Sequence, residues 1–307
     1  MTKSTAANAD IVHSTGEFKG VRDTVIRWQE WAPKKNKPRA VIMIVHGIGE
    51  HGGRYSALAE DLVNAGFAVG APDHRGHGLS EGKRAQVDKF DDFSDDLGKY
   101  KEILRERYPA PLPFFIVAHS MGGLIALRYV TRDQPDANGL ILSGAAAAKP
   151  DDISDITIAI GQVLAKVLPD VGVAGLQLDK ISHDPAVIEA YLNDPLVTSG
   201  KVRARMGSEL LSGMDTVEKD LPTLTMPILV THGGDDVITP PHGSEMIYEK
   251  VGSKDKTLKI YDGLYHEVYN EPERDEVIGN VITWIDARIQ RTNSRWTLYP
   301  RGYMVNG

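Results

Sequence analysis

The chain of 307 residues contains no cysteine, so disulfide bonds, thiolate nucleophiles and cysteine-bound metals are excluded. It also lacks an apolar run of about 20 residues, the length that crosses a bilayer. Residues 1–16 have no apolar core of the kind found in secretory signals. We therefore expect a cytoplasmic protein, with reversible contact with a lipid surface left open.

An excess of positive charge is also absent. Lys and Arg number 35 against 42 Asp and Glu, which gives a net charge of −7 at pH 7. Acidic and basic residues are interspersed, so the basic patch expected of a nucleic-acid-binding protein is missing. The 41% hydrophobic and 25% charged content is typical of a globular protein with one large core or two ordinary domains. Composition leaves the oligomeric state open.

The most informative stretch is PFFIVAHSMGG, residues 113–123. The apolar run 114–117 is typical of a strand buried on both faces, and residues 124–130 continue with helical periodicity. Ser120 lies in the tight turn between them, which is the strand–turn–helix context of a nucleophile elbow. Ala118 replaces the first glycine of the usual G-x-S-x-G pattern, and one methyl group is plausible there where a larger side chain would not be.

Strands and helices alternate on both sides of this stretch. The predicted strands are 40–45, 67–71, 139–142, 227–231 and 257–261, and the predicted helices are 54–65, 91–108, 242–251 and 275–288. This alternation predicts an α/β fold with a mainly parallel central sheet flanked by helices. A hairpin is expected to precede it within residues 17–31, and residues 1–15 are expected to be frayed.

The alternation stops between residues 145 and 220, where no buried strand is predicted. The strongly apolar segment 156–168 lies there among loops. We interpret 145–220 as a mostly helical cap inserted into the core. The predicted core then comprises 1–144 and 221–290, followed by a basic, aromatic tail at 291–307 to which we assign no function.

A serine nucleophile needs a base, and the base needs an acid that orients it. For Ser120 the acid and then a histidine should follow at the ends of later strands. Asp235 and Asp236 follow one such strand and His266 follows the next. We choose Asp236 as the acid because the usual loop pattern Val-Ile-Thr-Pro comes after it, and we keep Asp235 in reserve. Taken singly, the aspartate is read more simply as a turn residue and the histidine as a loop residue, but their combination favours a catalytic triad.

The tetrahedral intermediate of acyl transfer needs two N–H donors. Met121, directly after the nucleophile, is expected to supply one, and Ile48 in a glycine-rich loop after an earlier strand the other. His46 and His119 flank these donors, and structural hydrogen bonding is their simplest role.

Two other kinds of site are disfavoured. Asp73, His74 and His77 have metal-ligand chemistry, but a polar loop beneath the site accounts better for a His-x-x-His pair in a glycine-rich segment. The glycines at 47 and 49 lack the third glycine of a dinucleotide-binding fingerprint. We expect no metal and no cofactor.

Five spaced segments carry a wider resemblance: HGIGEHGGRY (46–55), DHRGHGLSEG (73–82), HSMGG (119–123), YLNDPL (191–196) and YHEVYNE (265–271). Through them the chain resembles the monoacylglycerol lipase family over roughly residues 15–290. The resemblance implies an α/β-hydrolase fold and a serine esterase that acts on monoacylglycerol or a similar lipid ester. It also implies a cap over a largely apolar acyl pocket with a narrower polar end for the glycerol head.

By this resemblance Glu50, Arg54 and Tyr191 are candidates for shaping the polar end, and His119 is a further substrate-binding candidate. The alternative is that a salt bridge and a packed tyrosine only hold the loop. The segment 156–168 either lines the acyl entrance and touches lipid or is buried against the core.

Two rival functions follow from the same residues. A broader carboxylesterase or lysophospholipase would use the same triad on a different head group. A non-catalytic lipid-binding protein on the same fold is disfavoured, since it would not need all three triad groups.

Overall fold

A large β-sheet organises the computed structural model, which describes residues 10–149, 155–175 and 177–297. The strands described are β1 (Ile11–Lys19), β2 (Val25–Pro33), β3 (Val41–Val45), β4 (Ala68–Pro72), β5 (Phe114–His119), β6 (Gly139–Ser143), β7 (Gly172–Ala174), β8 (Val202–Arg203), β9 (Ile228–Gly233) and β10 (Lys256–Tyr261). The α-helices described are α1 (Ser56–Asn64), α2 (Asp91–Arg107), α3 (Met121–Asp133), α4 (Asp155–Val167), α5 (Pro185–Asn193), α6 (Ala204–Asp220), α7 (His242–Lys250) and α8 (Arg274–Thr297). None of these helices is both long enough and apolar enough to cross a bilayer.

The large sheet has eight strands in the order β1-β2-β4-β3-β5-β6-β9-β10. The six strands β4, β3, β5, β6, β9 and β10 pair in parallel with their neighbours in this order. Strand β2 runs antiparallel to both β1 and β4. The predicted mainly parallel sheet is therefore confirmed. Because the carboxyl ends of parallel strands meet at one edge, the loops after β3, β5, β9 and β10 lie along the same rim.

Helices cover both faces of this sheet, because its central strands have apolar side chains on both faces, as β3 illustrates. Its residues Val41, Met43 and Val45 belong to the apolar cluster on one face, while Ile42 and Ile44 belong to the cluster on the other. Side chains of α2, α3 and α7 complete the first cluster, and those of α1 and α8 complete the second. A strand buried on both faces needs a continuous apolar run, which is the pattern that predicted it.

The chain departs from the predicted elements at both ends. Residues 11–15 were expected to be frayed, and this prediction is wrong. They belong to β1, which pairs antiparallel with β2 along its whole length. This is an edge strand with several polar, exposed side chains, so it lacks the apolar pattern of a buried strand. The last helix continues past its predicted end at Arg288 to Thr297. The rest of the predicted tail lies outside the described residues.

The described part of segment 145–220 adds no strand to the large sheet. It contains α4, α5 and α6 together with β7 and β8, which form a separate two-stranded sheet. All three residues of β7 are exposed, so this ribbon has no burial pattern from which it could be predicted. Residues of α6 join the core cluster that covers α3. The division into core, cap and tail stays a prediction.

Close packing of α3 against β3 fixes the turn between β5 and α3. A Cβ atom added at Gly122 would lie 2.2 Å from the carbonyl oxygen of Val45 and 2.4 Å from that of His46. Both are backbone atoms at the carboxyl end of β3 and cannot move independently of the sheet. Only glycine fits here without displacing one element from the other.

We expect Gly122→Ala to lower the free energy of unfolding by about 1–3 kcal/mol, the usual cost of overpacking. Urea denaturation followed by circular dichroism measures this value. The matched control is Gly279→Ala in α8, where nothing lies within 4 Å of the added Cβ and helix propensity predicts a gain of up to about 1 kcal/mol. Equal stability of the two variants would contradict the packing argument.

Candidate active site

Ser120 lies at the apex of the turn between β5 and α3. Its φ of 55° and ψ of −124° are strained for a residue with a side chain. Backbone hydrogen bonds hold this conformation: Ser120 N donates to Ser143 O at 3.0 Å, and Ser120 O accepts from Gly123 N at 2.9 Å and Ala146 N at 3.0 Å. The amino terminus of α3 follows directly, so its dipole is directed at this turn.

Ser120 and His266 line the same cavity, whose volume is about 820 Å³ including the solvent space at its mouth. The Nδ1 atom of His266 lies 2.7 Å from Oδ2 of Asp236. A carboxylate only accepts hydrogen bonds, so Nδ1 carries the proton and donates it. The opposite ring nitrogen, Nε2, is then unprotonated in the neutral ring and has the lone pair that a general base needs.

Asp236 is the carboxylate in contact with His266, and its loop holds it firmly. Its Oδ1 accepts from the amides of Ile238 at 2.8 Å and Thr239 at 3.0 Å. Its Oδ2 accepts from the Thr239 hydroxyl at 2.8 Å and from His232 Nε2 at 3.0 Å. Sequence reasoning assigned no role to Thr239 or His232, because their contacts exist only once this loop folds back over the end of β9.

These contacts move the pKa values of the pair in opposite directions. Burial alone would raise the pKa of Asp236, but the charge of His266 and hydrogen bonds from His232 and His266 lower it well below its usual range. Burial alone would lower the pKa of His266, but the Asp236 carboxylate outweighs it and raises that pKa above the ordinary 6.5. The imidazole therefore loses its proton at a higher pH than a free histidine.

Ile48, in the loop after β3, and Met121, at the start of α3, both line the cavity. Gly47 N donates to Glu50 Oε1 at 2.6 Å, which fixes the loop from within. His46 supports it from below: its Nδ1 lies 2.8 Å from Gly47 O, and its Nε2 accepts at 2.9 Å from the amide of His74, which follows the neighbouring strand β4. The proposed oxyanion donors thus belong to a rigid loop and a helix start.

Arg54 joins this loop to the one that carries His266. It contacts Glu50 Oε2 at 2.6 Å and forms two hydrogen bonds with Glu267, at 2.8 and 2.9 Å. Its guanidinium also lies 4.4 Å from the ring centre of Tyr191 in α5. These contacts support the loop-anchoring role for Glu50 and Arg54, although Glu50 and Tyr191 also line the cavity.

His119 supports the site from the end of β5. Its ring centre lies 4.5 Å from that of His266, and its Nδ1 lies 3.0 Å from the backbone oxygen of Ser143. Burial and the neighbouring His266 lower the pKa of His119 to about 4. His119 is therefore neutral near pH 7 and adds no positive charge next to the proposed base.

The cluster of Asp73, His74 and His77 serves as a polar support for these loops. Asp73 accepts from the amides of Gly52 and Leu79, each at 2.8 Å, and His74 Nε2 lies 3.1 Å from the backbone oxygen of His46. Among the described residues, no group of three His, Cys, Asp or Glu has the geometry to hold a metal ion.

Much of the cavity wall is apolar and comes from segment 145–220. The residues of this segment that line it include Leu178, Ile181, Tyr191, Val202, Leu210 and Met214. Tyr191 lies in α5, Leu210 and Met214 lie in α6, and Val202 lies in β8, whereas Leu178 and Ile181 lie between α4 and α5. No local pattern in the sequence therefore groups them. The site therefore combines polar groups from the sheet rim with an apolar wall from segment 145–220.

The chain is similar in sequence to known proteins. A family model described as serine aminopeptidase, S33 matches residues 36–273. The monoacylglycerol lipase of Mycolicibacterium smegmatis is 38% identical over 90% of this chain and 98% of its own length. The monoglyceride lipase of Rattus norvegicus is 34% identical over 86% of this chain and 88% of its own.

A solved structure extends the comparison to three dimensions. A soluble variant of the Saccharomyces cerevisiae monoglyceride lipase, in complex with a substrate analogue, superposes with a TM-score of 0.79 at 26% identity and covers 90% of this chain and 94% of that one. A mainly parallel sheet with a serine at the elbow after a central strand defines an α/β-hydrolase. The chain belongs to the monoacylglycerol lipase family.

We expect Asp236→Asn to lower the pKa of His266 from above 6.5 to below 6.5. The carboxylate that raises it is then gone, and burial, which lowers it, is no longer outweighed. Titration of ¹⁵N-labelled histidine by NMR gives the value directly. The matched control is Asp235→Asn, which should leave the titration of His266 unchanged. A larger effect of the Asp235 substitution would transfer the role to that residue.

Proposed function

We propose that the protein hydrolyses the ester bond of monoacylglycerols to fatty acid and glycerol through an acyl-enzyme intermediate. The observation that carries the proposal is the geometry of one cavity. The elbow residue Ser120 and His266 both line it, and His266 donates from Nδ1 to Asp236, which leaves Nε2 unprotonated in the neutral ring. This arrangement suits a base that activates a serine hydroxyl.

In the first half of the reaction His266 takes the proton of Ser120 as the hydroxyl attacks the ester carbonyl. The amides of Ile48 and Met121 stabilise the negative oxygen of the tetrahedral intermediate. Protonated His266 then gives its proton to the leaving glycerol, and an acyl-enzyme remains. In the second half His266 takes a proton from the water that attacks the acyl carbon, and it returns this proton to the Ser120 oxygen as the fatty acid leaves. Asp236 orients the imidazole and stabilises its charged form throughout.

The shape of the cavity supports a substrate with one apolar and one polar end. Residues of the inserted segment, such as Leu178 and Met214, supply a wall for an acyl chain. Glu50 and Tyr191 lie on the same cavity and offer polar atoms. The relatives named as monoacylglycerol and monoglyceride lipases support this choice of head group over those of a broader carboxylesterase or a lysophospholipase. The cytoplasmic location stays a prediction.

Replacing Ser120 by Ala should reduce kcat for monoacylglycerol hydrolysis by at least about 1,000-fold, because the nucleophile is lost. Fatty-acid release measures the rate. A fluorophosphonate probe should label the parent chain and leave the variant unlabelled. An unchanged thermal unfolding curve controls for the fold. Retained turnover in a folded variant would reject Ser120 as the nucleophile.

A substrate panel separates the proposed function from its rivals. It compares 1- and 2-monoacylglycerols of several chain lengths with triacylglycerol, lysophospholipid, short nitrophenyl esters and an alanine anilide. The last is included because the matching family model is described as an aminopeptidase. We expect the highest kcat/KM with a monoacylglycerol. A higher value with lysophospholipid or with short esters would replace the proposed substrate and leave the triad intact.

We further propose that α4 and the chain that follows it contact lipid surfaces. Ile160, Val163 and Val167 share one face of α4 and are 57%, 61% and 65% exposed. Val173 of β7 is also exposed, and β7 pairs with β8, whose Val202 lines the cavity. An exposed apolar surface this close to the cavity suits a substrate that is dissolved in lipid.

The double substitution Val163→Glu with Val167→Glu should reduce cosedimentation with phosphatidylcholine vesicles several-fold, because charges replace apolar groups at the contact. Hydrolysis of a water-soluble short ester should be unchanged. The matched control is Val12→Glu, an exposed valine of β1 on the large sheet, which should bind vesicles like the parent. Equal binding by all three chains would reject α4 as the lipid contact.

A further inference from the structure

A second histidine contacts the proposed catalytic acid. His232 lies in β9 and is completely buried. Its Nε2 lies 3.0 Å from Oδ2 of Asp236 and 2.8 Å from the backbone oxygen of Thr239. Both partners are oxygens without a hydrogen, so Nε2 carries the proton and donates to them. This contact fixes the tautomer of the neutral His232 ring.

The same carboxylate oxygen therefore serves two imidazoles. Oδ2 of Asp236 accepts from His266 Nδ1 at 2.7 Å on one side and from His232 Nε2 on the other. When two donors share one carboxylate oxygen, each donor disperses part of the negative charge on that oxygen. The hydrogen bond that the oxygen accepts from the other donor is therefore weaker. The basicity of His266 then depends on a residue that lines no part of the described cavity.

We propose that His232 is a positioning residue that sets the protonation equilibrium of His266 through the shared oxygen of Asp236. The proposal rests on the proposed triad. His232 is not needed to orient the carboxylate, because the Oδ1 atom is held by two backbone amides and Oδ2 also by the Thr239 hydroxyl. Loss of the His232 donor therefore leaves Asp236 in place and concentrates more of its charge on His266.

The partner of the other ring nitrogen is a group that can either donate or accept a hydrogen bond. Nδ1 of His232 lies 2.6 Å from the buried hydroxyl of Ser244 in α7. A serine hydroxyl donates to a neutral imidazole and accepts from a protonated one. His232 can therefore keep both contacts in either charge state. Its Nε2 keeps the proton and donates the hydrogen bond to Asp236.

Other ionisable groups also face His266. They are His119 at the end of β5, Glu267 in the same loop and Glu50 in the loop after β3. Substitution of His232 leaves all three unchanged. A change in the titration of His266 in such a variant therefore reports the shared oxygen.

The test compares His232→Leu, which removes the donor, with His232→Gln, whose side-chain N–H replaces it. The pH dependence of kcat/KM for a short nitrophenyl ester gives the acid-side midpoint of the free enzyme. We expect the Leu variant to raise this midpoint by about half a unit or more, so that kcat/KM well below it falls about threefold. The Gln variant should return it to within about 0.2 units of the parent.

A purely structural role predicts a different pattern. The control Leu62→Ala removes a buried side chain of α1 on the opposite face of the sheet, so it should lower stability and leave the midpoint unchanged. A folded Leu variant with the parent midpoint would overturn the proposal. Failure of Gln to restore the midpoint would also overturn it, since the donor would not be the cause.

A further measurement uses the parent chain, so it does not depend on whether a His232 variant folds. In the ¹⁵N-histidine NMR spectrum of the parent chain, His232 should keep its Nε2 proton from pH 5 to pH 9. A neutral ring protonated on Nδ1 instead would overturn the proposal. This result does not depend on turnover. Retained hydrolysis by Ser120→Ala would reject the proposed function alone. The tautomer of His232 would still decide whether His232 donates to Asp236.

Discussion

The spacing of the site depends on the contacts of Arg54, whose side chain is only 10% exposed. Its guanidinium lies between Glu50, whose other oxygen holds the amide of Gly47, and Glu267, the residue after His266. Burial alone would lower the pKa of Arg54, but the two carboxylates raise it above its ordinary value, so the charge is retained. Buried charges are costly unless they are fully paired, so these three groups stabilise one arrangement of the two loops. The proposed oxyanion loop and the proposed base are thereby held at a fixed separation.

The elements that position these loops were predictable because their patterns are local. Strands β3 and β5 are continuous apolar runs, and the serine turn follows from small residues between a strand and a helix. Residues 11–16 of the edge strand β1 and the exposed ribbon of β7 and β8 were not predicted, because none of their side chains is fully buried and they present no apolar face in the sequence. Their pairing depends on where distant strands lie, which local periodicity does not contain.

The same distinction applies to the site. Ser120, Asp236 and His266 were identified because each follows a strand, and the parallel order of the sheet brings strand ends together. Thr239 and His232 were missed although both lie close to Asp236 in sequence. Their contacts arise from the path of the loop after β9, for which spacing gives no rule. Sequence reasoning therefore predicted the triad and missed the residues that contact its carboxylate.

Segment 145–220 is also joined to the loop that carries the proposed base, through a contact beside Tyr265. The buried carboxylate of Glu271 accepts from the amide of Tyr265 at 2.7 Å and from the amide of His183, in the inserted segment, at 2.9 Å. Nearby, Glu267 N donates to Ile181 O, also in that segment, at 2.8 Å. The segment that supplies the apolar wall is thus attached to the loop that carries His266, and displacement of one strains the hydrogen bonds that hold the other. The position of that apolar wall and the position of the proposed base are therefore linked through the Glu271 carboxylate and the Glu267–Ile181 hydrogen bond.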